Sequence, residues 1–441
     1  MTRGSARHWG TGRARSTASR WALVSLLTLL VLSSVMARAD AQQATPQATP
    51  VAARLAPVWT QVGPEGSLVA RTLVHDACPQ ITLDGSSQPM HTRVGPNGAD
   101  FPETVCEATI PAGTGSAAID GQPLALLPAH LARIAVIGDT GCRIEKDRAQ
   151  DCSDPDAWPF ATIAAQIAAW QPDLIIHVGD YFYREAECPT AIVPGCAGSP
   201  WGDNLASWRA DWFDPAAAAL SVAPWLFVRG NHENCDRGGN GWFRYLAAGP
   251  MPAECQQFSP PWAVDIDARS FLILDTSATA DVTTTPEIDA AFTPILDQLT
   301  EMTTPGVWLL THKPLAGGLL KLSGKDQVVT NATLQSLTKG ALPPGIGAVV
   351  AGHIHLAEAL SFERTAAKPF QIIAGNSGTL LDAAENATYT GAALGDPLLN
   401  TGIVGAEFGW TAVELNQDQA LVTAFRLDGA SFFRIYLPAP E

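Results

Sequence analysis

An α/β fold with a small all-β segment ahead of it is what this sequence predicts, and three observations predict it. From Arg133 onward, short apolar runs alternate with longer helical stretches. Five of these runs end in polar blocks: GDTG at 138–141, GDYFY at 179–183, GNHE at 230–233, LLTH at 309–312 and GHIH at 352–355. Ahead of them, residues 54–125 alternate apolar and polar positions in short segments broken by Gly, Pro, Asp and Asn.

At 441 residues the chain is too long for one ordinary domain. Residues 1–20 carry Arg3, Arg7, Arg13, Arg15 and Arg20 with no acid, and Trp21 to Val35 is an apolar run, short for a bilayer. Small-residue cleavage sites follow at Ala37-Arg38-Ala39 and Ala39-Asp40-Ala41. Residues 1–41 therefore read as a secretory signal; an uncleaved anchor would need a stop-transfer flank, and nothing resembling one follows. The mature chain is expected to be secreted or periplasmic, with no membrane span left in it. Residues 42–53, which include QQATPQATP, read as a disordered linker.

Removing residues 1–41 takes away six Arg and one Asp, leaving 21 basic against 42 acidic residues, a net charge of −21. Such a surface excludes a protein that tracks phosphates along a nucleic acid, because that binding rests on Lys and Arg. Small substrates stay open. All eight cysteines lie in the mature region, and an even count behind a signal points to disulfides in an oxidising compartment. Sequence does not fix the connectivity. Sequential pairing, Cys78–Cys106, Cys142–Cys152, Cys188–Cys196 and Cys235–Cys255, would close four local loops, three of them just after motif-bearing strands. A thiolate metal cluster is the rival reading, weakened by the absence of any CxxC spacing.

Residues 54–130 are assigned to a small β-sandwich with no catalytic cluster of its own, and residues 131–441 to the catalytic domain. In the latter, strands are expected at Ile134–Ile137, Leu174–Val178, Trp225–Val228, Phe271–Leu274, Val307–Leu310, Ala348–Ala351 and Phe370–Ala374. Helices are expected around Trp158–Trp170, Leu205–Leu220 and Ile288–Met302. The tail segments Thr411–Leu415, Ala420–Leu427 and Phe432–Leu437 read as strands closing a second sheet edge.

The strand ends carry the chemistry, since open α/β folds bind ligands beyond the carboxyl ends of their strands. Singly the residues are ambiguous: Asp139 reads equally as a helix N-cap, and Tyr183 as a packed aromatic. His353 and His355, two apart after a strand, project to one side. Four of the nine histidines fall in these blocks. Together, the carboxylates, phenol, amide and imidazoles form a set that metal ions bind.

The ordered blocks GDTG, GDYFY, GNHE, LLTH and GHIH resemble the signature of calcineurin-like metallophosphoesterases, and within them the purple acid phosphatases, whose second block carries the Tyr. The resemblance covers about residues 131–380. It implies a four-layer α/β/β/α sandwich, with a preceding β-sandwich that is often fibronectin III-like. It also implies two metal ions: Fe(III) on Asp139, Asp180, Tyr183 and His355, and Fe(II), Zn(II) or Mn(II) on Asp180, Asn231, His312 and His353, with Asp180 bridging. Two ions about 4 Å apart would hold a phosphate and acidify a water for in-line attack. His232 is then the group that stabilises or protonates the leaving oxygen, with Glu233 or a neighbouring acid orienting it. Arg143, Lys313 and Glu233 are the expected substrate-side residues. The stretch Pro314–Lys321 lacks the histidines that better-known members place there, which opens substrate preference. The expected activity is hydrolysis of a small phosphate monoester. A phosphodiesterase or nucleotidase on the same site is the nearest alternative, and a non-catalytic binding protein a more distant one.

Overall fold

The computed structural model describes residues 54–315, 319–322, 325–328, 331–362, 369–390, 399–416 and 419–437. The expected signal and linker lie outside the described residues. Two large sheets dominate. The first has ten strands in the order Ser431–Leu437, Ala420–Arg426, Gly409–Leu415, Arg133–Ile137, Leu174–His177, Trp225–Phe227, Trp59–Val62, Leu68–Val74, Thr104–Ile110 and His91–Val94. The second has eight, in the order Trp262–Ile266, Arg269–Leu274, Val307–Thr311, Ile346–Ala351, Phe370–Ala374, Ala357–Phe362, Leu399–Gly405 and Ala387–Thr390.

Each sheet has a parallel centre. In the first, Leu174–His177 pairs in parallel with Arg133–Ile137 and with Trp225–Phe227; in the second, Val307–Thr311 does so with Arg269–Leu274 and Ile346–Ala351. Alternation within these strands makes the layers. Val136, Ile176 and Leu226 face Ile273, Leu310 and Val350 in the core between the sheets. The intervening residues Ala135, Ile137 and Ile175 face outward against Phe160, Ile163, Ile167, Trp208 and Trp212. On the far side, Leu272, Leu309 and Val349 pack on Phe292, Ile295 and Leu299. The result is the four-layer α/β/β/α sandwich, in which strands buried on both faces read as unbroken apolar runs.

Three expectations change in detail. The segment at Leu205–Leu220 is not one helix: Leu205–Trp208 is α-helical, Arg209–Phe213 is a wider π turn, and Ala217–Leu220 is a separate turn of α-helix. Pro215 lacks the amide that would carry the helix through. The tail strands join the first sheet, beside Arg133–Ile137, and not the second. Residues 54–125 are all-β with one short 3₁₀ turn, but four of their strands extend the first sheet, Trp59–Val62 running parallel to Trp225–Phe227. The remaining four, Gln80–Leu83, Ser86–Pro89, Ala117–Ile119 and Gln122–Pro123, make a separate sheet. Residue 130 therefore marks a change of strand pattern, not a gap between sheets.

Buried arginines join the N-terminal strands to the rest. Arg71 donates to the carbonyls of Tyr245 at 2.8 Å and Ala247 at 3.0 Å, and Arg93 to those of Phe243 and Gly249 at 2.9 and 2.8 Å. Glu103 accepts from Arg244 and from the Tyr245 hydroxyl. All four disulfides form in sequential pairing, Cys78–Cys106, Cys142–Cys152, Cys188–Cys196 and Cys235–Cys255. Among the described residues no helix is long and apolar enough to cross a membrane.

Candidate metal centre

The carboxyl ends of the two parallel centres meet at one place. The turn at 177–180 shows how the backbone puts Asp180 there. Gly179 has φ +106°, and a Cβ on it would stand 2.5 Å from His312 Nδ1, so only glycine fits. His177 underneath is a packing histidine: its Nδ1 accepts from the Gly179 amide at 3.2 Å and its Nε2 lies 3.0 Å from Thr140 Oγ1. Asp139, Asp180 and His353 all sit at positive φ, +56°, +61° and +72°. Side chains other than Gly adopt this conformation rarely, and it clusters at functional sites.

The expected ligands of the first ion converge. The Tyr183 hydroxyl is buried, 2.8 Å from Asp180 Oδ2, 3.1 Å from Asp139 Oδ1 and 3.1 Å from His355 Nε2. His355 Nδ1 donates to the Leu380 carbonyl at 2.8 Å, leaving Nε2 free to face Asp139 Oδ1 at 3.4 Å. The second group gathers at the same Asp180 oxygen that Tyr183 meets. His312 Nδ1 donates to the Val178 carbonyl at 2.8 Å, while Nε2 stands 3.0 Å from Asn231 Oδ1 and 3.2 Å from Asp180 Oδ2. Donor atoms of Asp180, His312 and His353 all lie within 4.8 Å of one another.

The electrostatics are those of a cation site. Burial and then the Asp180 and Asp139 carboxylates push the Tyr183 phenol well above its ordinary pKa. Burial opposes charge on His312, but Asp180 and Asp139 outweigh it and push that imidazole up to about 9. Burial also opposes the Asp180 charge, and His312 and His232 hold it well below the usual carboxylate range. Two buried carboxylates with a phenol between them need positive charge, and the mixture of carboxylate, phenol, amide and imidazole donors fits a pair of metal ions.

Not every expected residue is placed as expected. Glu233 does not reach the substrate side or His232. It is fully buried and accepts from the backbone amides of Asp180 at 3.0 Å, Tyr181 at 2.8 Å, Phe182 at 3.0 Å and Gly230 at 3.1 Å. It holds two motif loops together, and burial and the Asp180 charge push its carboxyl up to about 8. Glu185 is the acid that meets His232, its Oε1 2.8 Å from Nδ1. His232 Nε2 stands 3.8 Å from Asp180 Oδ2, and burial pulls the ring down to about 4. Lys313 is committed elsewhere: Nζ donates to the Thr279 carbonyl at 2.6 Å and pairs with Asp281 at 2.9 Å. Arg143 lies over the Tyr183 ring, 4.8 Å from its centroid, and pairs with Glu145.

Sequence reasoning missed a supporting ring of side chains. Asp281 Oδ1 lies 3.3 Å from His353 Nε2. Asp211, in the π turn, accepts from the amides of Tyr183 at 2.8 Å and Cys142 at 3.1 Å. Asp382 accepts from the His355 amide at 2.9 Å. Only Glu185, two residues past Tyr183, carried a local signal; the others reach the centre from distant loops.

No curated protein sequence matches the chain significantly. Among solved structures, the fold is similar to that of purple acid phosphatase PPD1 from yellow lupin (Lupinus luteus) seeds, at 14% identity and a TM-score of 0.55, covering 88% of this chain and 74% of that one. Weaker likenesses are to PhoD, at 12% identity and a TM-score of 0.46 over 86% of this chain and 88% of that one, and to GAP50 of Plasmodium, at 12%, 0.44, 70% and 89%. The family model for calcineurin-like phosphoesterases matches residues 132–357, more than half of the 441 and a span containing all five blocks. With that match over the very residues that gather around Asp180, this chain belongs to the calcineurin-like phosphoesterase family and is a hydrolase of phosphoric ester bonds.

Proposed function

We propose that the protein is a secreted phosphomonoesterase of the purple acid phosphatase kind, working on a small phosphorylated substrate. The family implies a dimetal centre. In this reading Asp139, Asp180, Tyr183 and His355 would hold Fe(III), and Asp180, Asn231, His312 and His353 would hold Fe(II), Zn(II) or Mn(II). The observation that carries it is the Tyr183 hydroxyl, set 2.8 Å from Asp180 and 3.1 Å from Asp139. A phenol crowded by two carboxylates ionises only beside a highly charged cation, and a carboxylate–phenolate set is hard enough for a trivalent one. Bound there, the ion pair supplies Lewis-acid chemistry that polarises the phosphoester and acidifies water.

The chain's own residues do the rest. Asp180 is positioned between both donor groups, and the Val178 and Leu380 carbonyls fix the tautomers of His312 and His355. Glu185 accepts the Nδ1–H of His232 and would stabilise the protonated ring, whose Nε2–H on the Asp180 side is the proton a leaving oxygen needs. Four disulfides fit an oxidising compartment and support secretion.

Elemental analysis of the purified protein together with its visible spectrum tests the metal assignment. Iron with a broad visible band is expected; a colourless zinc protein would overturn the phenolate reading. Turnover of nitrophenyl phosphate is expected to exceed that of bis(nitrophenyl) phosphate. A diesterase is the second reading, favoured by the pairing of Lys313 with Asp281 and of Arg143 with Glu145, which offsets the positive charge of the two cations expected to face a dianion.

A further inference from the structure

With Lys313 and Arg143 engaged, a further cation beside the centre among the described residues is Arg237, in the loop that follows GNHE. Its Nη2 lies 2.8 Å from His232 Nδ1 and 2.9 Å from Nε2, and its Nε pairs with Glu185. The side chain is 27% exposed, against 9% for Arg143 and 6% for Lys313, so it alone of the three opens to solvent beside the motif loops. Among the described residues its Nη1 makes no hydrogen bond. Glu185 therefore holds one edge of the guanidinium and leaves the other edge to present donors.

We propose that Arg237 is a substrate-binding residue, whose free guanidinium edge contacts the phosphoryl oxygens while Glu185 fixes its position against His232. This rests on the phosphoesterase reading of the centre and sharpens it to substrates bearing two negative charges. The reach is right: Arg237 Nη2 is 2.9 Å from His232 Nε2, which is itself 3.8 Å from Asp180 Oδ2, so the guanidinium stands one side chain away from the donor group and on its solvent side. The chemistry is right too, because a planar guanidinium presents parallel donors to a phosphate face, which Lys does not. Glu185 acts as a positioning residue, tying the arginine and the imidazole into one unit. The sequence carries the pair as Tyr183-Arg184-Glu185 and His232-Glu233-Asn234-Cys235-Asp236-Arg237, with the Cys235–Cys255 disulfide anchoring the second loop.

The test uses the metal-loaded full-length protein, with inorganic phosphate as probe. Arg237→Gln is expected to weaken phosphate binding, measured by calorimetry, by roughly tenfold to a hundredfold, the range of a lost charge-assisted hydrogen bond. The KM for nitrophenyl phosphate should rise in parallel, the KM for the bis-ester should rise less, and metal content should stay unchanged. Added guanidinium should restore phosphate affinity to Arg237→Gly, a rescue that a merely structural arginine would not show. Unchanged phosphate affinity in Arg237→Gln would overturn the proposal. If that variant misfolds, Arg237→Lys, which keeps the charge and loses the fork, is expected to bind phosphate more weakly at the wild-type melting temperature; wild-type affinity there overturns it equally. Should the wild type bind phosphate through Arg237 yet hydrolyse no monoester, the phosphomonoesterase reading and the restriction to doubly charged substrates both fail, while the contact of Arg237 with phosphate stands.

Discussion

In the corner around Asp139, Tyr183 and His355 the buried Tyr183 hydroxyl meets three other donors, whereas in the corner around Asn231, His312 and His353 one imidazole turns to a partly exposed acid. Tyr183 is buried completely, touches three other donors, and has its backbone pinned by Asp211. His355 is held twice, through its ring by Leu380 and through its amide by Asp382. His353, by contrast, turns its Nε2 to Asp281, whose side chain is 36% exposed and also bound to Lys313. The difference teaches that the first donor group is enclosed, while the second opens toward solvent through Asp281.

Removing the residue the corners share should have the largest effect. Asp180→Asn keeps the shape but takes the charge from both, and turnover should fall about a thousandfold or more, with metal content below two ions per chain by elemental analysis. Tyr183→Phe should break the closed corner alone: the visible band disappears and iron is lost, while zinc or manganese at the open corner is retained. Asp281→Asn should loosen only the open corner, lowering affinity for the divalent ion by about tenfold to a hundredfold in a chelator titration, with the visible band unchanged. If Asp281→Asn removed the colour instead, the division into two corners would be wrong. Glu233→Gln removes no donor atom and acts only on the backbone that carries Asp180. In either orientation its amide NH₂ would face two backbone amides, those of Asp180 and Gly230 or those of Tyr181 and Phe182, costing about 1–3 kcal/mol of stability in a denaturant melt.

The central strands and the donors at their ends were legible because each is a local pattern. An apolar run closed by Gly and a polar residue can be read without knowing what lies beside it, and the ends of Leu174–His177 and Val307–Thr311 fall where the runs predict. Glu233 shows the limit of such reading: adjacency to His232 suggested contact, but its buried carboxylate goes to amides near Asp180, and the neighbouring acid that meets His232 is Glu185. Asp281, Asp211 and Asp382 were illegible, since each acts across a tertiary contact that leaves no mark on the residues around it. The pairing of Trp59–Val62 with Trp225–Phe227 belongs to the same class, because a sheet edge does not announce its neighbour.

That pairing matters for anyone shortening the chain. Trp225–Phe227 runs directly into Arg229 and the GNHE loop, and Trp59–Val62 is what caps its open side. A fragment beginning at residue 131 would bare a parallel strand edge and orphan the carbonyls of Phe243, Tyr245 and Ala247, which Arg71 and Arg93 now occupy. Such an edge recruits other chains. Expressed without its first strands, the hydrolase would be expected to precipitate before it could be assayed, so the smallest workable unit starts ahead of Trp59.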